Sequence, residues 1–113
     1  MGLTFKENCA DIRNSRTIDI IREFLDFGID VQVYDPVADS RAAMNEYGIR
    51  LMTLNELKPA NMLVAAVSHD QIRDLSFSKI RSLMVGDNAV LIDVKGIFDV
   101  ASMINNGIRL WRL

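Results

Sequence analysis

Residues 62–67 read MLVAAV, a run of six apolar residues without a charge. Two further apolar runs, VQVY at residues 31–34 and AVLI at residues 89–92, have a similar character. Nearly continuous apolar runs are typical of parallel strands that helices cover on both faces. The segment IRLWRL at residues 108–113 alternates apolar and basic residues, and this alternation predicts an edge strand with one wetter face.

The segments between these runs carry helical patterns, in which apolar residues recur on one side and capping residues stand at the ends. The predicted helices run from Ser15 to Gly28, from Asp39 or Ser40 to Gly48, over residues 70–85 as one helix or two short ones broken near Ser76, and over residues 99–106. A series of alternating strands and helices implies right-handed crossovers. The predicted fold class is therefore α/β, a three-layer α/β/α sandwich around a parallel sheet.

The composition limits the possible functions. The chain has 113 residues, of which 50% are hydrophobic and 25% are charged, so we interpret residues 1–113 as a single globular domain. A formal net charge of -2 gives no general attraction for nucleic acid. Cys9 is the single cysteine, and no apolar run approaches the roughly 18 residues of a membrane span, so no membrane association and a cytoplasmic location are the default expectations.

The first strand of the pattern is incomplete. The helix that begins at Ser15 is preceded only by MGLTF at residues 1–5, which is short for a strand. If this strand lies at the centre of the sheet, its shortness leaves unpaired backbone groups on both neighbours. We therefore predict that the first strand is truncated, that the polypeptide is an excised domain, and that the isolated chain associates with itself or borrows a strand.

Cationic residues occur where ligands of this fold class bind. In a parallel α/β sheet, ligands bind beyond the carboxyl ends of the strands and beside helix N-termini. Lys6 and Arg13 lie in the stretch predicted for this edge, and Lys95 follows the AVLI run. Together with the amides near Ser15 they suit a phosphate or pyrophosphate. The alternative is structural: Asp11 and Arg13 pair across a loop, and Lys6 is a solvated side chain.

Other polar residues are weaker candidates. Asp35 precedes Pro36, a pair more typical of a turn than of a site. We interpret the single histidine, His69, as a surface residue beside a helix cap, and Cys9 has neither a paired thiol nor a nearby histidine. The sequence contains no G-x-G-x-x-G, G-x-x-x-x-G-K-[ST] or C-x-x-C motif, so neither a complete dinucleotide site nor a metal site is predicted. The chain is predicted to bind a ligand without carrying catalytic residues.

The stretch FKENCADIRNS at residues 5–15 resembles the signature F-K-x(4)-D-x-R-x-[ST], which opens the C-terminal domain of the UDP-glucose/GDP-mannose dehydrogenase family. VQVYDP at residues 31–36 and LIDVKGIFD at residues 91–99 resemble the next strand-end motifs of that domain, in the same order. The similarity covers essentially the whole chain. It implies a parallel five-stranded sheet with strand order 3-2-1-4-5.

The resemblance also implies an activity and partners. Members of the family oxidise the C6 hydroxyl of a nucleotide sugar to a carboxylate with NAD, and this domain closes over the sugar nucleotide. The form DVKGIFD at residues 93–99 and the ending WRL are more similar to enzymes of polysaccharide biosynthesis that act on UDP-N-acetylglucosamine or UDP-N-acetylgalactosamine. The implied partners are the N-terminal and central domains of the same enzyme, which hold most of the NAD and all the catalytic residues, and further copies in a homo-oligomer. The isolated chain is expected to be inactive.

The matching positions carry implied roles, which are substrate binding for Phe5, Lys6 and Lys95, an NAD contact for Arg13, and support for Asp11 and Asp93. Lys95 stands where many relatives have arginine, so it keeps the charge but lacks the bidentate fork. No catalytic or metal-ligating residue is implied in this chain. One alternative stays open, a flavodoxin-like regulatory or receiver-type binding module without catalysis, which the acidic residues at the strand ends superficially suggest.

Overall fold

Helices and strands alternate along most of the chain, and the computed structural model describes residues 1–113. The helices are α1 (Thr17–Asp26), α2 (Ser40–Tyr47), α3 (Asp70–Arg73), α4 (Phe77–Ser82) and α5 (Val100–Asn105), and the strands are β1 (Met62–Ala65), β2 (Val90–Asp93) and β3 (Leu110–Arg112). All the predicted helices are present. Of the two alternatives for residues 70–85, the break near Ser76 is confirmed, because α3 and α4 are separate helices.

The three strands form one parallel sheet in the order β1-β2-β3. Leu91 in the central strand pairs with Leu63 on one side and with Leu110 on the other. The parallel α/β architecture is therefore confirmed. The C-terminal segment lies at the edge of the sheet as predicted, and its Trp111 side chain is exposed.

The sheet has three strands, fewer than the five of the predicted 3-2-1-4-5 order. The VQVY segment joins the following extended segment only through an isolated parallel bridge between Val33 and Leu51. The first residues of the chain form no regular strand. A strand is defined by a continuous ladder to a neighbour, and the segment that would lie between VQVY and β1 is too short to supply one.

Residues 1 and 2 nevertheless lie between the VQVY segment and β1. The Met1 ammonium donates to Val64 C=O at 2.7 Å, and Ala66 N–H donates to Met1 C=O at 2.9 Å. On the other side, Gly2 N–H donates to Tyr34 C=O at 2.8 Å. Residues 1 and 2 thus take the central position predicted for the first strand, but with hydrogen bonds at its last residues only.

A cavity of about 780 Å³ opens beyond Met1, between the VQVY segment and β1. Its lining is mainly apolar and includes Ile20, Phe24, Val31 and Leu63. The backbone N–H groups of Tyr34 and Val64 have no protein acceptor, and strand alternation directs both toward this cleft. The cleft therefore has the shape and the hydrogen-bonding groups that a central strand requires.

Helix capping agrees with the prediction at α2 but differs at α1, and at α3, where a cap by Ser68 or Asp70 is predicted but His69 stands at the N-cap position without a side-chain cap. The Asp39 side chain accepts from Ala42 N–H at 2.9 Å and caps α2, and Gly48 ends that helix in the left-handed region with φ of 67°. Ser15 does not cap α1, so that prediction is wrong. Its hydroxyl instead donates to Leu3 C=O and ties the N-terminal stretch to the start of the helix.

The core has two parts. The larger part packs β1 and β2 against α3, α4 and α5 through side chains such as Leu91, Ile72, Ile80 and Met103. The smaller part packs α1, α2 and the VQVY segment around the buried Leu3. None of the five helices is long and apolar enough to cross a membrane.

Candidate nucleotide-binding edge

The carboxyl ends of the parallel segments bring four loops to one edge of the sheet. The loop at residues 4–8 follows the N-terminal stretch, and Asp35 follows VQVY. His69 follows β1 closely, and Lys95 follows β2. These loops therefore lie at one edge of the sheet, with Lys6 and Lys95 on two of them, and ligand binding at this edge stays a prediction.

Asp35 organises the centre of this edge. One carboxylate oxygen accepts from Leu3 N–H at 2.6 Å and Thr4 N–H at 3.1 Å, and the other accepts from Val37 and Ala38 N–H at 2.8 and 2.9 Å. Burial alone would raise the pKa of Asp35, but these backbone hydrogen bonds, together with one from His69, hold the pKa below its ordinary value. Asp35 is therefore an ionised structural carboxylate.

His69 is fully buried beside Asp35, so its interpretation as a surface residue is wrong. Its Nε2 lies 2.9 Å from the Asp35 carboxylate, and its Nδ1 accepts from Asn8 N–H at 2.9 Å. An Nδ1 that accepts carries no proton, so the ring is the neutral tautomer that donates from Nε2. The sequence signal for this residue was its place just beyond the end of a buried strand.

The Thr4 hydroxyl lies 3.1 Å from Nε2 of His69 and donates to Lys6 C=O at 2.9 Å. The cluster contains the three kinds of group found in a nucleophilic triad, namely the hydroxyl of Thr4, the imidazole of His69 and the carboxylate of Asp35. In such a triad the histidine uses one nitrogen for the nucleophile and the other for the carboxylate. Here both partners lie at the same nitrogen, so the cluster fixes a loop and does not form a relay.

The predicted substrate residues Phe5 and Lys6 lie in the loop that this cluster anchors. Phe5 N–H donates to Asp11 C=O at 2.8 Å, while its ring is 56% exposed. The Lys6 side chain is exposed and forms no ion pair. The backbone of the loop is thus held while its side chains face solvent.

Arg13 forms a bidentate pair with Asp11. Its Nε and Nη2 each lie 3.0 Å from a carboxylate oxygen, and 78% of its side chain remains exposed. These hydrogen bonds hold the pKa of Asp11 below its usual value. The pairing expected in the structural alternative is therefore present, and the supporting role of Asp11 in a binding site stays a prediction.

Asp93 shapes the turn that carries Lys95. Its carboxylate is fully buried and accepts from Ile97 N–H at 2.9 Å and Phe98 N–H at 3.0 Å. Gly96 within the turn has φ of 68°, which a side chain would strain. The Lys95 side chain is exposed at the tip and has no carboxylate partner.

A shallow cavity of about 460 Å³ lies beside the loop, at the start of α1. Its lining includes Phe5, Asn14, Arg16 and Tyr47. No side chain caps α1, so the partial positive charge at its N-terminus is not neutralised by a capping oxygen. The cavity combines an exposed aromatic residue with an uncapped helix end, whose first turn also brings the carboxylate of Asp19 to the lining.

Comparison with known proteins assigns the chain to a family. Residues 1–100 match the UDP binding domain of the UDP-glucose/GDP-mannose dehydrogenase family. The chain belongs to this family. The resemblance found in FKENCADIRNS and the two strand-end motifs is therefore confirmed.

Two curated relatives have 38% identity with this chain. The UDP-N-acetyl-D-glucosamine 6-dehydrogenase of Pseudomonas aeruginosa matches over 99 residues, which are 88% of this chain and 23% of the relative. Protein CapL of Staphylococcus aureus has 38% identity over 113 residues, which are 100% of this chain and 26% of the relative. The chain thus spans about a quarter of the length of these family members.

Solved structures show the same fold. The NDP-N-acetyl-D-galactosaminuronic acid dehydrogenase from Methanosarcina mazei Go1 superposes with a TM-score of 0.84 over 98% of this chain and 23% of the other, at 20% sequence identity. At this identity the similarity establishes the α/β fold of the family domain and carries no statement about substrate.

Proposed function

We propose that this chain is the nucleotide-sugar-binding C-terminal domain of an NAD-dependent UDP-sugar 6-dehydrogenase. The observation that carries the proposal is the match of residues 1–100 to the UDP binding domain of the family. The enzyme would oxidise the C6 hydroxyl of UDP-N-acetylglucosamine or UDP-N-acetylgalactosamine to a carboxylate. The 38% identity with the Pseudomonas aeruginosa UDP-N-acetyl-D-glucosamine enzyme favours this substrate class.

Lys6 and Lys95 are the proposed phosphate ligands. They belong to separate loops at one sheet edge, and neither is neutralised by a carboxylate. Because the net charge of the chain is negative, a diphosphate must be held by such local cations. Phe5 would contact the nucleotide sugar with its exposed ring, and Asp93 supports Lys95 through its turn.

NAD is the proposed cofactor, and two NAD would be consumed, because oxidation of the C6 hydroxyl to a carboxylate releases two hydrides in two steps and takes up one water. The chain lacks a glycine-rich phosphate loop, so the other domains would hold most of the cofactor. Arg13 can add one contact, because Asp11 occupies its Nε and Nη2 and leaves Nη1 free. The N-terminal and central domains are the proposed partners, together with further copies in a homo-oligomer, and the completed sheet would have five strands in the order 3-2-1-4-5.

The role of the two lysines is tested by titrating the chain with UDP and following backbone amide chemical shifts. Lys6→Ala and Lys95→Ala should each weaken binding about three- to tenfold, because each removes one charge-assisted contact to phosphate. Lys58→Ala is the matched control, since this exposed lysine precedes β1 and lies at the opposite edge of the sheet. Lack of saturable binding, or equal effects of all three variants, would contradict the proposal.

A further inference from the structure

The loop that carries Lys6 is fastened to the segment that follows β1. Asn8 N–H donates to Nδ1 of His69 at 2.9 Å. The Asn8 side chain donates to the Asp70 carboxylate and accepts from Asp70 N–H, both at 3.1 Å. Three hydrogen bonds therefore hold Asn8, although the residue itself is exposed.

The backbone of Asn8 has φ of 56°, in the left-handed region. Asparagine adopts this region more readily than most residues with a side chain, and the three hydrogen bonds hold Asn8 in it. On the other side of Lys6, the Thr4 hydroxyl donates to Lys6 C=O at 2.9 Å. The backbone that presents Lys6 is thus fixed both before and after the residue.

His69 is the common partner of both fastenings. Its ring is fully buried, and Asp35 holds Nε2 at 2.9 Å, which aims Nδ1 at the loop. Thr4 Oγ1 lies 3.1 Å from the same Nε2. No other side chain forms hydrogen bonds with both Thr4 and Asn8.

We propose that His69 is a positioning residue, which holds the loop at residues 4–8 in the geometry that presents Lys6 to the diphosphate. The inference deepens the proposed function and rests on it. Fixing the loop before the ligand arrives lowers the entropy that binding must spend, so affinity should depend on His69 although the ring is out of reach of the ligand.

Two amide substitutions of His69 distinguish the roles of its two ring nitrogens. The amide of His69→Asn reaches the position of Nδ1 and can still accept from Asn8 N–H. The longer His69→Gln reaches the position of Nε2, so it keeps a donor for Asp35 and loses the acceptor for Asn8. Gln71→Ala is the control, because Gln71 is an exposed residue of α3 with no hydrogen bond to the loop.

Hydrogen exchange of the Asn8 amide directly measures its hydrogen bond to Nδ1 of His69. In His69→Gln this amide should exchange about five- to tenfold faster than in the wild type, the loss expected for one hydrogen bond. In His69→Asn and Gln71→Ala it should stay protected. Unchanged exchange in His69→Gln, or equal acceleration in both His69 variants, would overturn the inference.

A double-mutant cycle connects the loop to binding. His69→Gln should raise the Kd for UDP about five- to tenfold in the wild type and have no further effect in a Lys6→Ala background, since both changes remove the same contact. Additive effects would overturn the positioning role. Absence of UDP binding by the wild type would overturn the proposed function instead, and exchange of the Asn8 amide would still decide whether His69 orders the loop.

Discussion

Asp35 follows the extended VQVY segment, accepts hydrogen bonds from four backbone N–H groups and lies 2.9 Å from His69 Nε2. A buried charge is tolerated only when donors replace the water that it loses. The donors come from both sides of the residue along the chain, from the N-terminal stretch and from the turn after Pro36. This single carboxylate therefore joins the loop of Lys6 to the body of the sheet.

Replacing Asp35 with Asn should be costly. An amide keeps one acceptor oxygen and places an NH₂ group against N–H donors, so at least one buried donor is left unpaired. We expect Asp35→Asn to lower the free energy of unfolding by roughly 2–4 kcal/mol, measured by urea unfolding. Asp39→Asn is the matched control and should change stability little, because Asn caps a helix as well as Asp does. Equal losses in both variants would refute the structural role of Asp35.

At the scale of elements, local signals were predictable from the sequence and long-range partners were not. Asp39 and Asp99 each accept from an N–H three residues onward, so a short window reveals both caps. Ser15 has the same chemistry but donates to Leu3, which lies 12 residues away. His69 was misjudged for a similar reason, since the partners that bury it are 34 and more residues distant. The loops of Lys6 and Lys95 were placed correctly because strand order alone sets them at one edge.

Alanine substitutions of Ser15 and Asp39 should affect stability and hydrogen exchange in different parts of the chain. Asp39→Ala removes a cap and should cost about 1 kcal/mol, with faster exchange of the Ala42 amide at the start of α2. Ser15→Ala leaves the buried Leu3 C=O without its donor and should cost roughly 1–3 kcal/mol. The faster amide hydrogen exchange caused by Ser15→Ala should appear in residues 3–5 and not in the first turn of α1. Fraying of that first turn would show that Ser15 acts as a cap in solution.

Across the whole molecule, the two parts of the core meet at residues 1–3. Leu3 packs with the smaller part, and Met1 packs against the larger part. The backbone of Met1 and Gly2 is also what links the VQVY segment to β1. The cohesion of the domain therefore depends on a few residues at the chain terminus, where ends normally fray.

The buried terminus predicts a pH dependence. Burial lowers the pKa of the Met1 ammonium from 8.0 to about 6, although the nearby Asp35 charge partly opposes the change. Between these values the unfolded chain binds more protons than the folded chain, so stability should rise with pH from 6 to 8. The gain should be roughly 1–3 kcal/mol in urea unfolding. An N-acetylated chain cannot titrate at this position and should lose this part of the rise; an unchanged pH profile would contradict the assignment.

The cleft between VQVY and β1 predicts how the sheet can be completed. Met1 already occupies the position of a central strand residue, and the unpaired N–H groups of Tyr34 and Val64 face the space just before Met1. A variant with four β-branched residues placed before Met1 should extend into the cleft, bury apolar surface and satisfy these donors. We expect the free energy of unfolding to increase by roughly 2–5 kcal/mol, after the entropy of ordering the added residues is subtracted. A Gly-Ser extension of equal length also moves the terminal ammonium away from Met1 but cannot fill the cleft, and it should leave the predicted self-association unchanged in sedimentation equilibrium. If both extensions stabilise equally, displacement of the buried charge, and not formation of a strand, accounts for the effect.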